Sequence, residues 1–266
     1  MKKIVISFFL VLVIFIFLYN KNKIKEYSFN YNYFDGINIR IYTNNKKNIE
    51  SEIKDILKNY ENSDEIYNYG LELKNKSNGL VDINKSYLLN QYEYFKKNNL
   101  VPSYYESDGL NYSYIIKSFV INKIKECLEK NKIYSYTINM RNTVLLGDSK
   151  GMKFTFALEK PFTSDYLLFL KLNNYAISTV GPYQDYYEID DKIYHNLINP
   201  ITFKQIDNYD SLTVICKNVL ESEFLAHYLY YLSIEEGKEV LKKYDADAIW
   251  YYNGKIEYTS NIESWK

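Results

Sequence analysis

Five short apolar segments follow one another between residues 133 and 180, at 133–138, 143–146, 152–158, 166–171 and 175–180. Such runs, rich in Ile, Val, Phe, Tyr and Thr and bounded by turn residues, read as strands. A turn carrying Asp148 and Gly151 falls among them. Residues 36–42 alternate strictly, with Ile37, Ile39 and Ile41 on one face, and 80–83 and 211–216 are further strand candidates. Residues 246–252 and 255–258 flank Asn253-Gly254, the dipeptide most typical of a two-residue hairpin. A sheet must bury a face against something, and the sequence supplies helices for it. Ile49, Ile53, Ile56, Leu57 and Tyr60 recur at helical spacing, as do Ile115, Ile116, Phe119, Val120, Ile124, Cys127 and Leu128. Residues 86–97, 220–232 and 235–243 also read as helix, with 100–110 as a loop. The fold class is therefore α+β, a single mixed α/β domain over 35–266 without internal repeat.

The N-terminus has a different character. Lys2 and Lys3 precede an apolar run at 4–19, and a second basic patch follows at 20–25. A basic start before a short apolar stretch is a secretory signal or signal anchor. No small-residue cleavage site and no nearby cysteine follows, so residues 1–26 are expected to be an uncleaved membrane anchor, with 27–34 a polar and aromatic linker. The domain is then expected on the extracytoplasmic side of the cell membrane. Lys+Arg and Asp+Glu balance at 33 each, which argues against a nucleic-acid partner. The 31 tyrosines accompany abundant Asn, Ile and Lys, a set that codon bias alone produces, so they mark no stacking surface. Cys127 and Cys216 are far apart on apolar faces and are expected as free buried thiols.

No glycine-rich phosphate loop, Cys-x-x-Cys pair or nucleophile elbow occurs. One constellation stands out. Glu223 and His227 lie four residues apart in a helical segment, on one helix face, and so within reach of one ion. The alternative is a solvated edge beside a buried stripe. The other histidine, His195, reads as a surface residue.

Several segments, in order, resemble the ApbE family, the FAD:protein FMN transferases. Thr179-Val-Gly-Pro-Tyr183 is similar to that family's Thr-Ser-Gly-x-Tyr, and Tyr194-His-Asn-Leu-Ile-Asn-Pro-Ile-Thr202 to its Tyr-Ser-His-Ile-Ile-Asp-Pro-x-Thr-Gly. Ser222-Glu-Phe-Leu-Ala-His227 falls where the family has Ala-Asp-Ala-Leu-x-Thr. Asn111-Tyr-Ser-Tyr-Ile-Ile-Lys117 resembles Asp-Leu-Gly-Gly-Ile-Ala-Lys, residues 138–147 resemble the Asn-x-Gly-Gly-Asn strand pair, and Asp35-Gly36 sits where the family opens with Met-Gly-Thr.

The resemblance implies an ApbE-like fold that binds FAD with Mg2+ or another divalent metal. It further implies transfer of FMN to a threonine of an acceptor protein in a membrane redox complex, with release of AMP. Carried over position by position, the metal ligands are Glu223, His227 and the carbonyl of Ile116. Asn111, Lys117, Asn139, Arg141, Gly181, Tyr183 and Asn196 would face the cofactor. The departures are specific. Histidine brings a borderline nitrogen that suits zinc or manganese better than magnesium. Ser113-Tyr114 and Met140-Arg141 stand for glycine pairs, and their side chains would crowd a pyrophosphate unless Arg141 pairs with it. Asn196 replaces a histidine, Asn199 an aspartate and Phe203 a glycine. These changes keep two other readings open: a diverged binding or assembly module without chemistry, and a metal-dependent FAD pyrophosphatase.

Overall fold

The structure, a computed structural model, describes residues 24–266 apart from 35, 45–47, 61–63, 108, 111, 114, 149–150 and 152. The anchor expected over 1–26 falls almost wholly outside the described residues, and none of the described helices is long and apolar enough to cross a membrane.

Eight strands form one sheet in the order β1-β2-β3-β4-β7-β10-β11-β12, antiparallel throughout. They are β1 (Lys25–Tyr31), β2 (Ile37–Thr43), β3 (Tyr136–Met140), β4 (Thr143–Gly147), β7 (Tyr175–Val180), β10 (Ser211–Cys216), β11 (Ala246–Tyr252) and β12 (Lys255–Tyr258). The linker expected over 27–34 is corrected here, because most of it is β1. Its alternating aromatic residues pair in register with β2, Phe29 opposite Ile39, and Phe29 is buried.

One face of the sheet carries α1 (Ile49–Asn59), α2 (Asp64–Lys76), α4 (Ile116–Lys130), α5 (Val219–Tyr230) and α6 (Ile234–Leu241) over the main core. The other face is covered by the two-stranded ribbon of β5 (Phe154–Glu159) and β6 (Tyr166–Leu172) and by a C-terminal turn at Ser260–Trp265. A second ribbon, β8 (Tyr186–Ile189) and β9 (Lys192–His195), lies beside α3 (Tyr87–Lys97), where Tyr87, Leu88, Tyr92 and Ile198 form a satellite cluster. The strand expected at 80–83 is instead a turn running into a short 3-10 helix, Ile83–Lys85. Asp82 caps it by accepting the Asn84 N–H at 2.9 Å.

Helix α5 is buried nearly all round, which a helix packed against β7, β10, α4 and α6 must be. This overturns the solvated-edge reading of Glu223, whose exposure is 2%. Both cysteines are free and buried, and burial pushes each thiol up to about 12.

Candidate functional site

Helix α4 begins at Ile116, and its preceding residue, Ile115, offers no side-chain cap. The orphan amides of its first turn need an acceptor from elsewhere. Glu223 supplies it from α5. Ser118 N–H donates to Glu223 Oε2 at 2.6 Å, and the Thr143 hydroxyl makes a long 3.5 Å contact to Oε1. Burial raises the Glu223 carboxyl above the usual carboxylate range, against the opposing pull of the Lys117 charge and of the Ser118 and Thr143 hydrogen bonds. One turn further along α5, His227 is half-buried. Burial, with the Lys117 charge adding to it, holds its imidazole down to about 3, so it is neutral at ordinary pH.

Lys117 reaches from α4 to the tip of the β3–β4 hairpin. Its Nζ donates to Asn142 Oδ1 at 2.6 Å, and Asn142 Nδ2 donates to the Thr179 carbonyl at 3.0 Å. The hairpin turns through Arg141 and Asn142, since Met140 pairs with Thr143. Arg141 has φ 57°, the left-handed backbone that glycine adopts without cost. Its side chain is therefore thrown outward, where Nη2 donates to the Gln184 carbonyl at 2.6 Å. Arg141 lines the cavity with its guanidinium tied to the Gln184 carbonyl, so this replacement places a cation on the cavity wall.

These groups line one cavity of about 300 Å³. Ile116, Lys117, Arg141, Asn196, Glu223 and His227 all face it, so most of the residues singled out in the sequence come together. Three do not. Asn139 alternates with the buried Ile138 and Met140 and so points to the opposite side of the sheet. With Tyr183 it lines a second cavity of about 590 Å³, which meets the first across Arg141, Asn142 and Gln184. Gly181 lines neither of these two cavities. A Cβ there would lie 2.6 Å from the Asp210 carbonyl, so its smallness serves packing. Asn111 lies outside the described residues.

His195 is corrected too. It is buried to 1% exposure, with Nδ1 accepting the Leu197 N–H at 3.2 Å and Nε2 2.9 Å from Asp207 Oδ1. That fixes the neutral tautomer with its proton on Nε2, and burial lowers the ring's proton affinity despite Asp207. It does not line the cavity.

Sequence reasoning missed Asn142, Thr143, Gln184 and Asp185. A two-residue hairpin turn at Arg141-Asn142 would have flagged Asn142. The others are set by tertiary packing alone.

A divalent ion needs an ionised carboxylate and a neutral imidazole. The neutral imidazole of His227 is in place on one cavity wall beside Ile116, and Glu223 completes the pair once its carboxyl gives up its proton in favour of the ion. The donor set thus fits a borderline ion better than magnesium, which prefers oxygen throughout. Among the described residues no cluster of three His, Cys, Asp or Glu side chains forms a metal cage. Such an ion would draw further ligands from the backbone, water or substrate oxygens.

The model of the ApbE family matches residues 106–250, more than half of the chain. An FAD:protein FMN transferase of Klebsiella pneumoniae (strain 342) is 30% identical over 141 residues, 51% of this chain and 43% of that protein. One from Buchnera aphidicola subsp. Baizongia pistaciae is 29% identical over 158 residues, 58% of this chain and 45% of its own length. In neither case does the match span half of the relative. Among solved structures, the flavin transferase ApbE from Vibrio cholerae superposes with a TM-score of 0.72 at 17% identity, covering 91% of this chain and all of that one. The ApbE protein of Thermotoga maritima gives 0.77 at 14% identity, covering 91% of this chain and 99% of its own. These two likenesses establish the mixed α/β fold, and the family match over the stretch that builds the cavity carries the assignment: the chain belongs to the ApbE family.

Proposed function

We propose that this protein binds FAD and transfers FMN to a threonine hydroxyl of an acceptor protein, releasing AMP. The observation that carries the reading is the convergence of Lys117, Arg141, Glu223 and His227, from three separate elements, on one cavity. Its cationic wall suits a pyrophosphate. Lys117 and the guanidinium of Arg141 offer charge-assisted donors, and the positive end of the α4 dipole adds to them. Glu223, His227 and the Ile116 carbonyl would hold a divalent ion, which when bound would neutralise pyrophosphate charge and stabilise the leaving phosphate. Asn196 offers an uncharged donor on the same wall.

The apolar run at 4–19 supports an anchored protein, and the family resemblance supports a membrane-bound redox complex outside the cytoplasm as its acceptor. The test is to incubate residues 24–266 with FAD and either magnesium or manganese, with and without acceptor protein, and to follow AMP. AMP that depends on acceptor supports transfer. AMP without acceptor replaces transfer by hydrolysis. Neither AMP nor retained FAD overturns both and leaves a binding module.

A further inference from the structure

We propose that Asp185 is the group that receives the proton from the acceptor's hydroxyl. The inference rests on the flavin-transfer reading above. An alcohol attacking phosphorus must be aimed and must lose its proton, and a fixed carboxylate is the usual means when phosphoryl groups pass to hydroxyls.

Among the described residues, three carboxylates line the cavity, Glu93, Asp185 and Glu223. Glu223 is committed to the first turn of α4. Glu93 is exposed on α3, and among the described residues no hydrogen bond or ion pair fixes it. Asp185 differs from both. Its Oδ1 accepts the Tyr92 hydroxyl at 3.1 Å and the Lys96 ammonium. Tyr92 and Lys96 are one turn apart on α3, so a single helical face grips the carboxylate. Tyr92 is fully buried, and burial together with the Asp185 charge keeps its hydroxyl protonated and donating. The neighbouring Gln184 carbonyl is tied to Arg141, so the backbone ahead of Asp185 is pinned to the hairpin that borders the phosphate side of the cavity.

That leaves Oδ2. Its contact is Asn196 Nδ2 at 3.5 Å, long enough to leave a lone pair open to the cavity. Asn196 stands where the resembled family has a histidine. An amide cannot take a proton at ordinary pH, whereas the carboxylate beside it can. The step balances. The hydroxyl oxygen bonds to the phosphorus of the FMN half as its proton passes to Asp185. The phosphorus–oxygen bond to AMP breaks, and AMP leaves with the electron pair.

The test measures single-turnover AMP release and flavinylated product as a function of pH, with water and with N-acetyl-Ala-Thr-Ala-amide as acceptors. Asp185→Asn keeps an oxygen for Tyr92 and Lys96 but not the basicity. It should lower the rate constant at least ~100-fold and flatten the acid limb of the pH profile, with FAD affinity within about twofold of wild type. Lys96→Met removes one of the two donors that hold the carboxylate and should lower the rate constant by less than Asp185→Asn does. An Asp185→Asn rate equal to wild type removes Asp185 from the chemistry while flavin transfer stands. A wild-type protein that neither retains FAD nor releases AMP to either acceptor sinks the transfer reading, and the role of Asp185 with it.

Discussion

Replacing Arg141 by glycine separates what the side chain does for the fold from what it does for the ligand. The left-handed backbone at φ 57° costs a non-glycine residue about 1 kcal/mol, which glycine recovers. Glycine also gains freedom in the unfolded chain, a loss of about 0.4–1 kcal/mol of stability. The exposed hydrogen bond to the Gln184 carbonyl contributes about 1 kcal/mol, and it disappears. These contributions nearly cancel, so Arg141→Gly should unfold within about 1 kcal/mol of wild type. Binding is a different matter. A guanidinium donating to a phosphate oxygen contributes about 1.5–3 kcal/mol, or roughly a tenfold to hundredfold weakening of FAD when it is lost. Titration of flavin fluorescence gives the affinity, and a urea midpoint gives the stability. Arg141→Lys should fall between the two, keeping the charge without the fork. Equal or tighter FAD binding by Arg141→Gly would refute the pairing and show that the arginine only crowds the cavity's edge.

Glu223→Gln should flatten the stability profile. Because burial raises the carboxyl, the folded state holds that proton more firmly than the unfolded one. Wild-type stability therefore falls as pH rises from about 4.5 through the raised folded value, and urea midpoints over that window should show the glutamine variant gaining on wild type. The two histidines act in the opposite sense. Both rings resist protonation when folded, so the stability they confer is complete above about 6.5 and is lost as pH falls, by up to about 1.4 kcal/mol per pH unit for each. His195→Gln should reduce that acid slope and leave FAD affinity unchanged, as read by denaturation and flavin titration. Gly181→Ala should cost about 1–3 kcal/mol in chemical denaturation, since the new methyl group meets the fixed Asp210 carbonyl.

The elements legible in the sequence were those whose periodicity packing enforces. Strand β2 alternates because one face is core, and β10 reads as an unbroken run because both its faces are buried. The Asn253-Gly254 hairpin follows from two left-handed residues, with φ 49° and 74°. Helix α2 escaped notice because its inward stripe runs Ile66, Gly70, Leu73. Gly70 makes room for Ile83, whose side chain would lie 2.5 Å from an added Cβ. The ribbon of β8 and β9 turns on Asp190 and Asp191 and is largely polar or half-exposed, so it carries little pattern. In the site, the residues read from the family resemblance came together from the start of α4, the β3–β4 hairpin tip, the segment after β9 and the body of α5. Asn139 lines the second cavity instead of the first, because alternation beside two core residues turns it to the other face of the sheet. Asp185 was not foreseeable, since its role arises from Tyr92 and Lys96, about ninety positions away.

The losses of glycine that favoured a chemically silent relative take on a different meaning in the folded chain. Phe203 has φ 56° and Arg141 φ 57°, both where the resembled family has glycine. The backbone path that glycine makes easy is therefore kept at about 1 kcal/mol apiece, with Phe203 packed against the satellite cluster and Arg141 on the cavity wall. Glu223 argues in the same direction. A buried carboxylate whose proton affinity is raised is a poor stabiliser, and an apolar residue with a different cap for α4 would serve the fold as well. Its place on one wall beside a neutral imidazole and near a lysine fits an anionic ligand with its counter-ion, as the proposed function requires.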